Sequence, residues 1–596
     1  MEVPGRSVQA PRRLSGRPAE WTRAHAAPVL ALAAALAASV AIVAAQPVRS
    51  AWWTYADADA TYTAAGLNLL LGEPLRYLDH PGLPLEELIA GAFGIGELAD
   101  GGTAREYVDG LMLDFDRTRA VFRGLAIGFY LSGALLSFLL AARLFGHWGW
   151  GLAAGLAWTA APGLASMSIQ YRPDVPLAVL CVVFAFLVGR AVQTRSASVF
   201  LAAGFTLGFA TMVKLHAAGL LPALMLAAIW RHPAPGWRRR VGEESRRALR
   251  RHRIWLAPAA LVLLVLALLL NVRRLPYELT GEQWLAALGP LLLVGDYLGL
   301  ALIAGRLRAP RLVRGLLDPF YGWLGVAVLA GLALPVALSI PDGLQALVSI
   351  EKGLTGQGVN ETIPAFSASL EQFEHYPLRQ ALLVFVLAGV AAVVGLVRRD
   401  PLPVVWFAGA AVLGLMGQAR LAAIHYFAPA FVLSVPAAFW LLRRARGGTA
   451  ALVAAAVVAY LVLPQLDNRH SRPYDPQLEG ATAPSLRALE QRLRPGELAI
   501  TPSYWPHPDT RYFDVVLPYV AYSPEYPYRF VSDSPRALEL AEDRGLRFRY
   551  YTGPLARNLV GPQTLRLGEL GDYAVQPLAD VPDAAELLDG PGVEPG

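Results

Sequence analysis

Long apolar runs separated by short polar stretches dominate the chain. They fall near residues 26–46, 121–141, 149–166, 175–192, 198–213, 215–230, 254–271, 284–303, 320–340, 378–397, 402–418, 424–441 and 449–464. A helix rises about 1.5 Å per residue, so runs of this order suit a hydrocarbon core about 30 Å thick. The pattern predicts thirteen membrane-spanning helices. The pair at 198–230 is the least regular, because Lys214 and His216 interrupt two short runs.

The polar positions order these helices. Arginines concentrate in alternate loops: Arg143, then Arg190 and Arg195, then Arg231 to Arg253, then Arg306 to Arg314, then Arg398 and Arg399, then Arg443 to Arg446. Basic loops stay cytoplasmic, which predicts a cytoplasmic N-terminus (1–25) and an extracytoplasmic C-terminus. Three longer segments then lie outside: 47–120, 341–377 and 465–596. The transmembrane domain is expected over 26–464. The tail carries strand-like pieces (Leu498–Thr501, Tyr528–Val531, Leu546–Tyr551) and a helix-like piece (Ser534–Arg544), and reads as a small α/β domain. The expected fold class is a polytopic α-helical membrane protein with a soluble C-terminal domain.

Composition supports the membrane reading. Only 16% of residues are charged and the mean hydropathy is +0.41, against about 25% charged in ordinary soluble chains. The net charge of +6 does not indicate nucleic acid, because the cations sit in the loops where topology places them. Abundant arginine, alanine, glycine and leucine suit a high-GC bacterial genome. A single cysteine, Cys181, excludes an intrachain disulfide and a cysteine zinc site; it reads as a small buried residue. Arg12, Arg13, Arg17 and Arg23 precede the first apolar run. A signal peptide is the competing reading there, but the run is long enough to span and many spans follow.

Candidate chemistry concentrates in the first outer segment. It opens Trp52-Trp53-Thr54-Tyr55-Ala56-Asp57-Ala58-Asp59 and continues with a helical stretch, Thr61 to Gly72, on which Tyr62, Ala65, Leu69 and Leu70 share a face. Next come Arg76 to Pro84, including His80-Pro81-Gly82, and an amphipathic stretch, Leu85–Phe93, suited to the membrane interface. On local spacing alone, Asp57 and Asp59 are equally a solvated pair or a helix cap. Asp174, in Asp174-Val175-Pro176-Leu177, is both a helix cap and an acidic candidate. Arg172, Lys214, His216, Arg420 and His425 lie near expected outer helix ends, where ionisable groups are costly and often functional. Lys214, one of only two lysines, either snorkels to the interface or binds phosphate. Arg420 and His425, five apart at the start of one helix, fall on different faces.

The order of these features resembles the GT-C integral membrane glycosyltransferases, in the branch of the protein O-mannosyltransferases and the lipid A aminoarabinose transferase. The matching pieces are Asp57-Ala-Asp59-Ala-Thr-Tyr62, Leu70-Leu71-Gly72 and His80-Pro81-Gly82-Leu83-Pro84. Farther on they are Arg119 or Arg123, Phe145-Gly146, Asp174-Val-Pro-Leu177, and Gly204 to Gly208 leading to Lys214. The resemblance covers 26–230 in detail and 231–464 by architecture alone. The acidic motif is Asp-Ala-Asp where the family often has Asp-Glu, and Gly82 replaces a proline.

The resemblance implies a sugar carried on a polyprenyl phosphate, an acceptor met at the outer face, and an aspartate as general base. Asp59, ahead of Asp57, is the candidate because Tyr62 matches a tyrosine that often follows the family acid. Cations near the phosphate stabilise the leaving group, with His80, Arg172, Lys214, His216, Arg420 and His425 as candidates. Asp57, Asp59 and Asp174 could also hold a divalent metal ion. The glycine-bearing stretch Ile350–Thr362 is either a lid or a plain connection, and its Asn360-Glu-Thr362 fits a glycosylation pattern without meaning in a bacterium. The partners expected are the lipid-linked sugar, a lipid, glycan or protein acceptor, and membrane lipids. A transporter or flippase predicts internal repeats, and none is found. A scaffolding protein predicts that the three aspartates are dispensable.

Overall fold

A computed structural model describes residues 18–46, 59–72, 82–113, 115–276, 278–306, 310, 313, 317–354, 376–420 and 424–443, and six strands of the tail. In chain order the helices are α1 (Pro18–Ala44), α2 (Asp59–Leu71), α3 (Leu83–Asp100), α4 (Ala104–Leu113), α5 (Phe115–Phe145), α6 (Trp148–Thr159) and α7 (Leu164–Met167). They continue with α8 (Asp174–Thr194), α9 (Ala197–Val213), α10 (Leu221–Trp230), α11 (Trp237–Val272), α12 (Gly281–Arg306) and α13 (Pro319–Leu338). The last are α14 (Ile340–Leu354), α15 (Tyr376–Arg398), α16 (Pro401–Arg420) and α17 (Ala428–Leu442). Short 3-10 turns, Leu215–Leu220 and Ile424–Phe427, precede α10 and α17.

Among the described residues seven helices are long and apolar enough to cross a membrane: Ala26–Ala44, Ala120–Phe145, Asp174–Thr194, Ile254–Val272, Gly281–Arg306, Pro319–Leu338 and Ala381–Arg398. The expected run at 149–166 is broken into α6 and α7, with Gly163 in the left-handed region between them. The runs at 198–213, 215–230, 402–418 and 424–441 give apolar helices of 10–17 residues. The run at 449–464 lies outside the described residues. Several segments are thus shorter than a full span because proline, glycine or a buried charge ends the helix early. The apolar surfaces of α11 and α12 stay exposed, Trp255, Val262, Leu285 and Leu293 among them, as lipid-facing helices require.

The core sits among α5, α6, α8, α9, α16 and α17, where Trp158, Trp406, Trp440 and Phe200 are fully buried. Close backbone approach draws α9 onto α13. A Cβ at Gly208 would overlap the Val328 carbonyl and stand 3.0 Å from the Leu332 nitrogen, and one at Gly331 would overlap the Phe205 carbonyl. Small residues at a membrane helix crossing act in this way.

The segment between α1 and α5 forms a helical annex. Its α2 and α3 run side by side in the same direction: Gly66 faces the Glu86 carbonyl and Ala90 nitrogen, and Leu70 reaches Gly94. The Arg273 guanidinium clasps their C-terminal ends, donating to the Leu70 carbonyl and pairing with Glu97 at 2.7 Å. A cation there complements both helix dipoles. The next helix, α4, begins on a reciprocal Thr103–Glu106 capping box.

The interfacial stretch expected at Leu85–Phe93 belongs to α3, which is apolar on both sides. Its inner face buries Leu85, Ile89 and Phe93 together with Glu86, Glu87 and Glu97. On the outer face Leu88, Ile95 and Leu98 are 38%, 72% and 68% exposed, as a lipid interface would favour.

In the tail, strands β1 (Glu497–Thr501), β2 (Ala521–Ser523), β3 (Tyr526–Ser532), β4 (Arg547–Pro554), β5 (Leu565–Arg566) and β6 (Tyr573–Pro577) form one mixed sheet. Its order is β2-β3-β1-β4-β6-β5. Strand β1 pairs in parallel with β3 and β4, the other pairs being antiparallel. Parallel neighbours need crossover connections; the helix expected at 534–544, on the path from β3 to β4, lies outside the described residues.

Candidate functional site

Two antiparallel helices carry the centre of the site. The chain enters α8 at Asp174, directly after Pro173, and leaves α9 at Val213. Lys214 then takes an extended conformation, φ −159° and ψ 130°, which ends α9 and starts the 3-10 turn. Its backbone stays tied in, with its N–H on the Ala210 carbonyl and its carbonyl accepting from Ala217. The break places the lysine stem inside the bundle end.

There Lys214 Nζ meets Asp174 Oδ1 at 2.6 Å, with both side chains only 2% exposed. Arg172 Nε lies 3.5 Å from the other oxygen of Asp174. The Lys214 ammonium also stands over the ring of Tyr426, 4.0 Å from its centroid. His216 stacks on the same ring at 5.2 Å and 11° between planes. Among the described residues one carboxylate thus faces two basic side chains. A buried pair of this kind is costly to desolvate and strongly coupled.

The annex closes over this end. Gly82, with φ 47°, begins α3, and its N–H reaches the Val213 carbonyl at 3.3 Å. Tyr171 donates its hydroxyl to the Leu85 carbonyl at 2.5 Å. Since α2 runs parallel to α3, its first residue, Asp59, lies at the same end as Gly82. Helix α14 completes the cover: Ala346 and Ile350 pack with Leu83, Ala90 and Met212. It is anchored by Asp342, which pairs with Arg274 at 2.6 Å and accepts from Ser339. Asn271 ties the turn before it, accepting from the Ile340 N–H and donating to the Leu338 carbonyl.

Two further carboxyls stand under this cover. Glu86 and Glu87 are 0% and 2% exposed, and none of their oxygens has a hydrogen-bond partner among the described residues. Burial raises both well above the usual carboxylate range, and the charge of Asp342 raises them further.

Of the residues singled out in the sequence, Asp174, Lys214, Arg172 and His216 come together. Asp59 is placed at the start of α2, and its side chain lies outside the description, as do Asp57 and His80 entirely. Arg420 and His425 do not share a helix: Arg420 ends α16 and His425 lies in the following 3-10 turn. Their five-residue spacing therefore does not set them on opposite faces, and their side chains lie outside the description. Arg123 is buried within α5, and Arg119 belongs to the same helix. Sequence reasoning missed Tyr426, Tyr171, Glu86, Glu87 and the Arg274–Asp342 pair. One signal was legible: two adjacent glutamates interrupt the apolar stretch of α3, and a helix with a buried face must turn at least one inward.

Among the described residues no group of three or more His, Cys, Asp or Glu side chains is arranged to hold a metal ion.

Residues 113–270 match the family model of the dolichyl-phosphate-mannose-protein mannosyltransferases. The matched stretch contains Arg172, Asp174, Lys214 and His216 and stops short of Asp57 and Asp59. No curated protein matches the chain. Among solved structures, the archaeal oligosaccharyltransferase AglB from Archaeoglobus fulgidus, in complex with an inhibitory peptide and a dolichol-phosphate, is 14% identical. The alignment covers 90% of this chain and 70% of that one, with a TM-score of 0.45. ArnT from Cupriavidus metallidurans, bound to undecaprenyl phosphate, is 15% identical over 95% of this chain and 100% of that one, with a TM-score of 0.32. These scores are too low to establish a common fold. The family match agrees, over the residues it covers, with the resemblance read from the sequence.

Proposed function

We propose that this protein moves a sugar from a polyprenyl-phosphate donor to an acceptor at the outer face of the membrane. The observation that carries this reading is the buried Asp174–Lys214 pair with Arg172 beside it, inside the stretch that matches the mannosyltransferase family. Lys214 and Arg172 are the basic groups that would face a lipid phosphate. Helix α2, whose first residue is Asp59, points its N-terminus to the same end.

The step needs no covalent intermediate. The acceptor hydroxyl oxygen attacks the anomeric carbon, with inversion, as the bond from that carbon to the phosphate oxygen breaks. The proton passes to Asp59, or to Asp57, acting as general base. The bonding electron pair leaves with the lipid phosphate, whose charge Lys214 and Arg172 stabilise. His80, His216, Arg420 and His425 are further candidates for holding donor or acceptor. Residues 26–464 serve as the transmembrane frame, and 465–596 as an extracytoplasmic domain. Hexosyl and pentosyl transfer are both compatible with these groups.

Transfer from radiolabelled polyprenyl-phosphate sugars by the purified protein in proteoliposomes tests the reading. Asp59→Asn, Asp57→Asn, Asp174→Asn and Lys214→Met are compared with wild type. Loss of one general base costs about 10²–10⁴-fold, expected for one of the two loop aspartates. Full transfer by all four variants would remove the site assignment, and failure to bind any donor would favour a transporter or a scaffold.

A further inference from the structure

The Asp174–Lys214 cluster occupies one end of the bundle. A separate groove, open along one side and with a cavity volume of about 50 Å³, lies toward the other end, between α5, α6, α8 and α17. Its walls are almost wholly apolar, including Leu140 and Leu144 from α5, Val182 from α8, and Phe431 and Val435 from α17. The lining runs from Ser137 to Phe145 on α5 and from Phe431 to Phe439 on α17, a length of roughly 12 Å at 1.5 Å per residue. Val182 lies eight residues along α8 from Asp174, so the cavity starts about 12 Å from the site already described. Helices α5 and α17 flank it.

The mouth is aromatic and then basic. Phe145 meets Phe439 at 6.1 Å and Trp150 at 5.8 Å, and Trp150 meets Phe439 at 5.1 Å. The guanidinium of Arg443 stands 5.9 Å from the Phe145 ring centroid. Arg143, two residues before Phe145, is also exposed. A hydrocarbon-lined groove at membrane depth that ends under exposed arginines has the chemistry of one amphiphile: an apolar chain within and an anionic group at the mouth.

We propose that this groove holds one acyl chain of an anionic phospholipid from the leaflet at the Arg143–Arg443 end, with its phosphate paired to Arg443. The lipid fills the space between α5 and α17 and joins them across it. Charge complementarity at the mouth favours a phospholipid with net negative charge over a zwitterionic one.

The test uses the full chain in nanodiscs of equal parts phosphatidylglycerol and phosphatidylethanolamine, released into native mass spectrometry. Wild type is expected to retain one phosphatidylglycerol. Arg443→Gln, at an exposed position that folding does not depend on, is expected to lower the preference for phosphatidylglycerol about fivefold, the factor that one arginine near an anionic surface carries. Ser137→Phe, which fills the groove, is expected to abolish retention. A second measurement does not depend on that variant: phosphatidylglycerol with brominated chains should quench tryptophan fluorescence less in Trp158→Phe than in wild type. The proposal is overturned if wild type retains no phospholipid, or if Arg443→Gln keeps the full preference. It is also overturned if added polyprenyl phosphate displaces the lipid one for one, since the groove would then belong to a donor chain.

Discussion

Lys214 meets a carboxylate, an aromatic face and the backbone of a helix break. The aromatic contact is the one that sequence reasoning passed over, although Tyr426 stands next to His425. Its ring meets both the ammonium and the imidazole of His216. A cation over an aromatic face contributes about 0.5–2 kcal/mol, equivalent to roughly 2- to 30-fold in an equilibrium constant. Tyr426→Ala is expected to raise KM for the lipid donor within that range while changing kcat less. Steady-state kinetics over a range of donor concentrations distinguishes this from a purely structural defect, which would lower the active fraction and leave KM alone.

At the scale of elements, α3 is the least ordinary piece of the fold. Its place in the sequence was legible, because an amphipathic stretch follows a glycine and a proline. Its polarity was not, because periodicity locates a helix's two faces without saying which one meets protein. Tertiary contacts decide that: Tyr171, Val213 and α2 hold the glutamate side inward. The raised carboxyls of Glu86 and Glu87 make a pH prediction. Their folded values lie above the ordinary value of 4.5, so the folded state binds more protons than the unfolded state above that pH. Stability is then greatest at the acid end of the window and falls as pH rises, by up to about 1.4 kcal/mol per pH unit for each group. Melting temperatures of the protein in nanodiscs should decline from pH 5.5 to 8.5. The Glu86→Gln, Glu87→Gln double variant should flatten that slope; an unchanged slope would assign it to other groups.

At the scale of the whole molecule, the apolar runs were the most legible feature, because spanning a bilayer demands length and hydrophobicity at once. What the runs could not convey was where helices stop short. Pro176 sits inside the first turn of a full span, whereas Gly163 and Lys214 end theirs, and hydropathy alone does not separate these outcomes. The meeting of the segment before α5 with α14 was likewise invisible, being a contact between residues more than 250 positions apart. The alternation of arginines remains the basis for orientation, and it makes a direct prediction. Replacing the buried Cys181 with serine leaves a cysteine-free chain. Cysteines introduced singly at Ser245 and Ser485 should then react with a membrane-impermeant maleimide from opposite sides of sealed spheroplasts, with Ser485→Cys labelled from outside. Labelling of both from one side would reverse or refute the topology.

The rarity of lysine has a practical consequence when set beside the burial of Lys214. In a chain with only Lys214 and Lys352, amine-acylating reagents have almost nothing to modify beyond the α-amino group. Lys214, buried in its ion pair and screened by an aromatic ring, should acylate far more slowly than Lys352, as peptide mass mapping would reveal; equal rates would contradict its burial. A donor phosphate that draws the ammonium away from Asp174 would alter that rate. The second-rarest kind of reactive group in the protein thus becomes a built-in reporter of whether the site is occupied, requiring no introduced label.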